Sequence, residues 1–327
     1  KDYPIDIACE VFSRINTGGK SLTVFEIMVA KTYDEQSGFD LANKYEVLRD
    51  GNDEEKECLT AAKFETLPES IIMQCVAAIT LRAVKSRDIL KIPRQTFVEN
   101  WEPMRTSLFM AIDFIRSELR VSVSQLVPYP AIVIAFTYFF NKTANKKPNN
   151  DQVRLLEQYF YWVGLTERYS SSTESKLSED FVKMDAIADG TTPKYVSITE
   201  MTVDPNKIAE TRFSAGNAYC KAILCLLAYN EPKSFDTNGK VFLDNSNLKI
   251  AASRNYHHFF PRKYIEDNKK DKESNLVANI TLIDGYSNKH RIGKQAPSVY
   301  ISKFAEDNKE LDKTLKTHLI EDVGSYG

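Results

Sequence analysis

Net charge is nearly absent. Forty-three Lys and Arg are set against 45 Asp and Glu, leaving −2 at neutral pH. A chain so balanced has no global attraction for a polyanion, so a case for nucleic acid must rest on local charge. Cysteine is sparse. Cys9, Cys58, Cys75, Cys220 and Cys225 form no C-x-x-C pair, which excludes a zinc ribbon and a disulfide framework and predicts reduced thiols in the cytoplasm. Long apolar runs are missing too. The longest, 131–140, is far short of the ~20 residues a bilayer needs, so no membrane partner is expected. The opening Lys1-Asp2-Tyr3-Pro4 has neither a Met nor the apolar core of a signal peptide, and the chain is expected to start inside a longer protein. Histidine is rarest of the reactive residues, at four positions, and two of the four are adjacent: His257 and His258.

The pattern along the chain is mostly helical. An apolar stretch at 7–15 ends in the turn signal Asn16-Thr17-Gly18-Gly19. Thr23-x-x-Glu26 then predicts a capped helix with Phe25, Ile27, Met28 and Ala30 on its apolar face. Residues 34–65 read as polar and irregular with some helix. Ile71, Ile72, Val76, Ile79 and Val84 recur at helical spacing. Similar stripes at 104–119, 131–140, 153–163, 177–184 and 208–227 predict a helical bundle, with loops at 143–151 and 189–195. The aromatic clusters Tyr138-Phe139-Phe140 and Tyr159-Phe160-Tyr161-Trp162 are read as core, and Glu167-Arg168-Tyr169-Ser170 as a helix-capping loop. After Asn230-Glu231-Pro232 the texture changes. Strand-like pieces at 241–243 and 249–251, an apolar stretch at 276–283, and helices at 297–306 and 311–320 predict an α+β module. The expected fold class is mainly α with a C-terminal α+β module, in three parts: 1–50, 51–234 and 235–327.

Asn255-Tyr256-His257-His258-Phe259-Phe260-Pro261-Arg262, followed by Asn279 and Asn288, supplies what phosphodiester hydrolysis requires. That chemistry needs a base for water, a divalent cation for the phosphate, and cationic groups for the backbone. Imidazole titrates near ~6.5 and is available in its neutral form, so His258 is assigned as the base. His257 and Asn288 are assigned as metal ligands, and Asn279 as the residue that orients the loop. Adjacent strand residues face opposite ways, so sharing one site requires a bend, with which Pro261 is compatible. Magnesium or manganese is the expected ion, with nickel or zinc as the softer alternatives that a neutral ligand pair also suits. Residues 249–263 and 286–303 contain no acid. Their Arg254, Arg262, Lys263, Lys289, Arg291 and Lys294 are the candidate DNA contacts.

Four segments in order resemble one family: His257-His258-Phe259-Phe260-Pro261-Arg262; Asn275-Leu276-Val277-Ala278-Asn279-Ile280-Thr281-Leu282; Ser287-Asn288-Lys289-x-x-Ile292-Gly293; and Ala296-Pro297-Ser298-x-Tyr300. The string is similar to the C-terminal HNH (His-Me finger) domain of GmrSD-type enzymes, modification-dependent (type IV) restriction and phage-defence endonucleases. The resemblance implies a ββα-metal fold for 235–327 and a metal-dependent endonuclease acting on modified phage DNA. It places the base at His258, a ligand at His257, and the third motif residue at Asn288. Upstream, Phe12-Ser13-Arg14-Ile15-Asn16-Thr17-Gly18-Gly19-Lys20-x-Leu22-Thr23 through Glu26-Ile27 resembles the same family's ParB/sulfiredoxin-like nucleotide-binding domain. Glycines ahead of a helix N-terminus suit phosphate, which makes Arg14, Asn16, Thr17, Gly18 and Gly19 candidate nucleotide contacts. The family's D-G-Q-Q-R-like motif is absent, so 1–50 holds half such a site, and nucleoside triphosphate binding or hydrolysis is expected only of the full-length protein. One HNH site cuts one strand, so double-strand cleavage would imply a homodimer. The alternative is a non-catalytic DNA-binding or nucleotide-sensing regulator on the same scaffold.

Overall fold

The computed structural model describes residues 22–33, 35, 38–195, 204–248, 255–268 and 272–321. The chain is mainly α-helical, as its periodicity predicts, and forms two compact units. Arg14, Asn16, Thr17, Gly18, Gly19 and Arg254, together with the strand expected at 249–251, lie outside the described residues.

The first unit takes in the described parts of Lys1–Phe114, Pro130–Phe160 and Arg168–Tyr195. Helix α1 (Val24–Thr32) starts at the predicted capping box. Thr23 Oγ1 accepts the Glu26 N–H at 3.1 Å, and the Glu26 carboxylate accepts the Thr23 N–H at 2.6 Å. Helix α2 (Leu41–Asp50) is capped by Asp40. Helix α5 (Ala131–Lys142) packs on α3 (Glu69–Leu81) and α7 (Thr173–Ala188). The first aromatic cluster splits accordingly: Phe139 and Phe140 are core, whereas Tyr138 donates from its rim to Asp185. Arg168 is no capping residue. It holds the fully buried Asp180 through two 2.8 Å bonds, and Tyr159, Tyr169 and Lys183 also donate to that carboxylate. Helix α4 (Arg94–Ser117) begins ten residues ahead of the expected stripe and accommodates Pro103.

The second unit takes in the described parts of Ile115–Tyr129, Tyr161–Glu167 and Val196–Gly327. Helix α6 (Asn150–Leu165) places Gly164 here. A Cβ at 164 would stand 2.7 Å from the Ala222 Cβ and 3.1 Å from Pro128, so the close approach requires glycine. The helix expected at 208–227 is two: α8 (Pro205–Glu210) and α9 (Ala218–Tyr229). The break has a local cause. Asn217 accepts the Cys220 N–H and starts α9 as a cap, and Arg212 pairs in antiparallel fashion with Leu276. The strand expected at 241–243 is not among the described strands, although Val241 and Leu243 are buried and Phe242 is exposed.

The sheet has two antiparallel strands, β1 (Tyr256–His258) and β2 (Ile280–Leu282), in the register Tyr256↔Leu282, His257↔Thr281, His258↔Ile280. Between them lies α10 (Arg262–Asn268). After β2 come a helical turn (Gly285–Ser287), a π-turn (Asn288–Ile292), α11 (Pro297–Asp307) and α12 (Leu311–Lys316). Phe235, Phe259, Ile292, Tyr300, Phe304 and Leu315 form the core beneath the sheet.

Candidate functional site

The geometry around the histidine pair is set by three asparagines, each with both ends of its carboxamide engaged. Carbonyl oxygens only accept hydrogen bonds, so an amide tied to a carbonyl must present its Nδ2 there. Asn275 Nδ2 donates to the Phe213 carbonyl at 3.1 Å, which turns Oδ1 toward His258 Nε2 at 3.0 Å. His258 must then carry its proton on Nε2, leaving the lone pair on Nδ1. Asn288 Nδ2 donates to the Tyr256 carbonyl at 3.3 Å, and its Oδ1 meets His257 Nδ1 at 3.1 Å. His257 therefore carries its proton on Nδ1, and its lone pair is on Nε2. That nitrogen is buried with no hydrogen-bond partner among the described residues.

Asn279 takes the third position, and it is a clasp. Its Nδ2 donates to the carbonyls of Phe260 (3.0 Å) and Ser274 (2.9 Å), its Oδ1 accepts the Phe260 N–H (2.8 Å), and its own carbonyl accepts the Phe259 N–H (2.9 Å). The turn that follows His258 is thereby tied to the segment that enters β2. Tyr300 adds a bond from its Oη to the Phe259 carbonyl at 2.6 Å.

The two imidazoles differ in environment. His257 is 2% exposed and flanked by the rings of Phe235 and Tyr300. Burial pushes its pKa down to about 3; the Asn288 bond opposes that shift, and His258 and His318 add to it. His258 is half-buried, and burial and the Arg262 charge lower its pKa against the Asn275 bond. Both rings are neutral near pH 7. A second buried histidine, His318, stands behind β2. Its Nε2–H donates to the Lys233 carbonyl at 2.7 Å, so its Nδ1 accepts the Thr281 hydroxyl at 2.7 Å. Thr281 is the register partner of His257.

The predicted cationic residues divide. Arg262, Lys263 and Lys294 are exposed, with Lys263 bonded to Asp267 at 2.8 Å. Lys289 lies in the π-turn. Arg291 is turned inward: it pairs with Asp236 and, at 2.7 Å, with Asp307, and lies 4.6 Å over the Phe304 ring. It clamps the core, with its guanidinium engaged by two carboxylates and an aromatic ring. A cavity of about 620 Å³ on the far side of β2 is lined by Ile223, Leu227, Phe260, Leu276 and Ile280, with Glu273 its one charged lining residue. That lining suits no polyanion.

The donor set fits a divalent ion in part. His257 Nε2 is a buried nitrogen lone pair without a partner among the described residues, and imidazole nitrogen suits zinc and nickel better than magnesium. Asn288 supports that nitrogen by holding the ring from its other side, the usual duty of a ligand-orienting neighbour. Among the described residues no three His, Cys, Asp or Glu side chains converge.

Sequence reading missed Asn275, Phe213 and His318 as parts of this site. Asn275 stands four residues before Asn279 in the N-x-x-x-N spacing, and that repeat was the available signal.

No known protein-family model matches the chain. It is 25% identical over 309 residues to an uncharacterized protein of Methanocaldococcus jannaschii, an alignment that takes in 91% of this chain and 50% of that protein. The chain thus spans about half the length of the curated relative it matches. No helix of the described residues is long and apolar enough to cross a membrane.

Proposed function

We propose that the second unit is a metal-dependent DNA endonuclease of the HNH (His-Me finger) class, in a protein of the GmrSD-like, modification-dependent type acting on phage DNA. The observation that supports the reading most directly is the His258 Nε2–H···Asn275 bond, which leaves a neutral, half-exposed imidazole with its lone pair on Nδ1. His258 Nδ1 takes a proton from water, and Asn275 Oδ1 keeps the ring oriented as it becomes cationic. Arg262, Lys263 and Lys294 hold the sugar–phosphate backbone. Asn279 keeps the base's turn closed on β2. His257, aimed by Asn288, is the residue to hold a divalent ion. When bound, that ion supplies charge neutralisation at the phosphate and the leaving oxygen. Nucleotide control through the first 50 residues, and a homodimer for double-strand cuts, belong to the same proposal.

The test is nicking or cleavage of plain, methylated and glucosylated DNA by the full-length protein. Magnesium, manganese and nickel are each supplied, with and without nucleoside triphosphates, and His258→Ala is run beside the wild type. Equal cutting by the two proteins would remove His258 from the role.

A second reading, a non-catalytic DNA-binding regulator, is favoured by one observation: His257 is 2% exposed and its ligand partner Asn288 is spent on it. Such a protein binds DNA without added metal and cuts nothing.

A further inference from the structure

We propose that Asn275 is the positioning residue of His258, and that it is itself held by the 211–213 segment leading out of α8. This rests on the nuclease reading only for its consequence in catalysis; the placement is independent of it.

The segment lies alongside 275–277 like a third short strand. The Phe213 N–H donates to the Asn275 carbonyl at 2.8 Å, and the Val277 N–H donates to the Thr211 carbonyl at 2.8 Å. These bonds flank the Arg212↔Leu276 bridge, and Arg212 pairs with Glu273 at 3.3 Å. The Phe213 ring packs edge-on against Tyr256 of β1, 4.9 Å between centroids. The Asn275 side chain adds the decisive contact, Nδ2 to the Phe213 carbonyl. Without that carbonyl the carboxamide is free to present either end to His258. With it, only the oxygen faces the ring, and only an Nε2–H can meet it. The residues that select the base's tautomer therefore include a backbone carbonyl in a segment whose sequence reads as helix. A neutral imidazole with the proton on Nδ1 has no lone pair there to take one from water, so loss of this tie disables the base while leaving the DNA-holding cations in place.

Four histidines make the test direct. The full-length protein is labelled with ¹⁵N-histidine, and two-bond ¹H–¹⁵N correlations are recorded at neutral pH without DNA or metal. His258→Gln assigns the signal. The expected wild-type pattern for His258 is an N–H type Nε2 and a lone-pair type Nδ1. Asn275→Ala is expected to give a mixed pattern. Asn275→Asp gives up the donor to the Phe213 carbonyl but offers only acceptor oxygens to the ring, so it is expected to retain an N–H type Nε2, and this separates the acceptor's role from general loss of structure. In the nicking assay Asn275→Ala is expected to lower kcat on the order of 10- to 100-fold with KM for DNA unchanged. The inference is overturned if wild-type His258 carries its proton on Nδ1, or if Asn275→Ala leaves the pattern as in wild type. If the tautomer behaves as expected and the wild type cuts no DNA, the placement stands and the nuclease reading fails.

Discussion

His257 and His258, adjacent in sequence, carry their protons on opposite ring nitrogens, because Asn288 approaches one from the Nδ1 side and Asn275 the other from the Nε2 side. A doubled residue thus yields two different chemical groups. One is a sealed nitrogen donor at Nε2. The other is a half-exposed base at Nδ1.

Removing the support of the sealed ring should be costly. Asn288→Ala leaves a buried His257 Nδ1–H without an acceptor and is expected to destabilise the second unit by about 1–3 kcal/mol. Chemical denaturation followed by fluorescence reads the loss.

Asn279→Ala removes three side-chain bonds at once and strands the Phe260 amide. About 2–4 kcal/mol of stability should go with it. Cutting should fall even at temperatures where the variant is folded, because the turn carrying His258 loses its tie to β2.

His318 gives the second unit an acid limit. Burial holds its pKa at about 4, below the ordinary 6.5. The unfolded chain therefore binds the proton first as pH falls. The stability this histidine contributes is complete above pH 6.5, declines between 6.5 and 4, and is gone below 4. The decline amounts to about 2–4 kcal/mol over that window. Urea midpoints at pH 7 and pH 5 measure it, and His318→Gln should flatten the slope.

Arg262 and Arg291, both in acid-free stretches, should behave in opposite ways. Arg262→Ala is expected to weaken DNA binding and to reduce the salt slope of log K by about 1, with stability unchanged. Arg291→Ala is expected to leave the salt slope alone and to cost about 1–3 kcal/mol, because its partners are Asp236, Asp307 and Phe304.

In the first unit, Arg168→Met is expected to cost about 3–5 kcal/mol, since it uncovers a carboxylate with zero exposure. The His258 tautomer should be untouched, and calorimetry beside the NMR pattern checks both.

Much of this was legible in the chain. The Thr23–Glu26 box and the stripe at 131–140 both follow from spacing alone. What was not legible depended on partners far away in sequence. Nothing near Arg291 announces Asp236, and nothing in 208–217 announces that Leu276 will claim Arg212 as a strand partner. The helical period continues through that segment, and only the Asn217 cap signals a break. The tautomers were equally hidden, because they depend on which carbonyl each asparagine finds.

The His318 tie also has a consequence for synthesis. The bonds from Thr281 to His318 and from His318 to the Lys233 carbonyl are completed by a residue that leaves the ribosome well after the histidine pair. A nascent or prematurely stopped chain ending before residue 311 would carry both histidines of the pair yet lack α12 and this closure. Such a chain would leave Thr281, the register partner of His257, without its tie behind β2, so the histidine pair takes its final seat only once residue 318 has emerged.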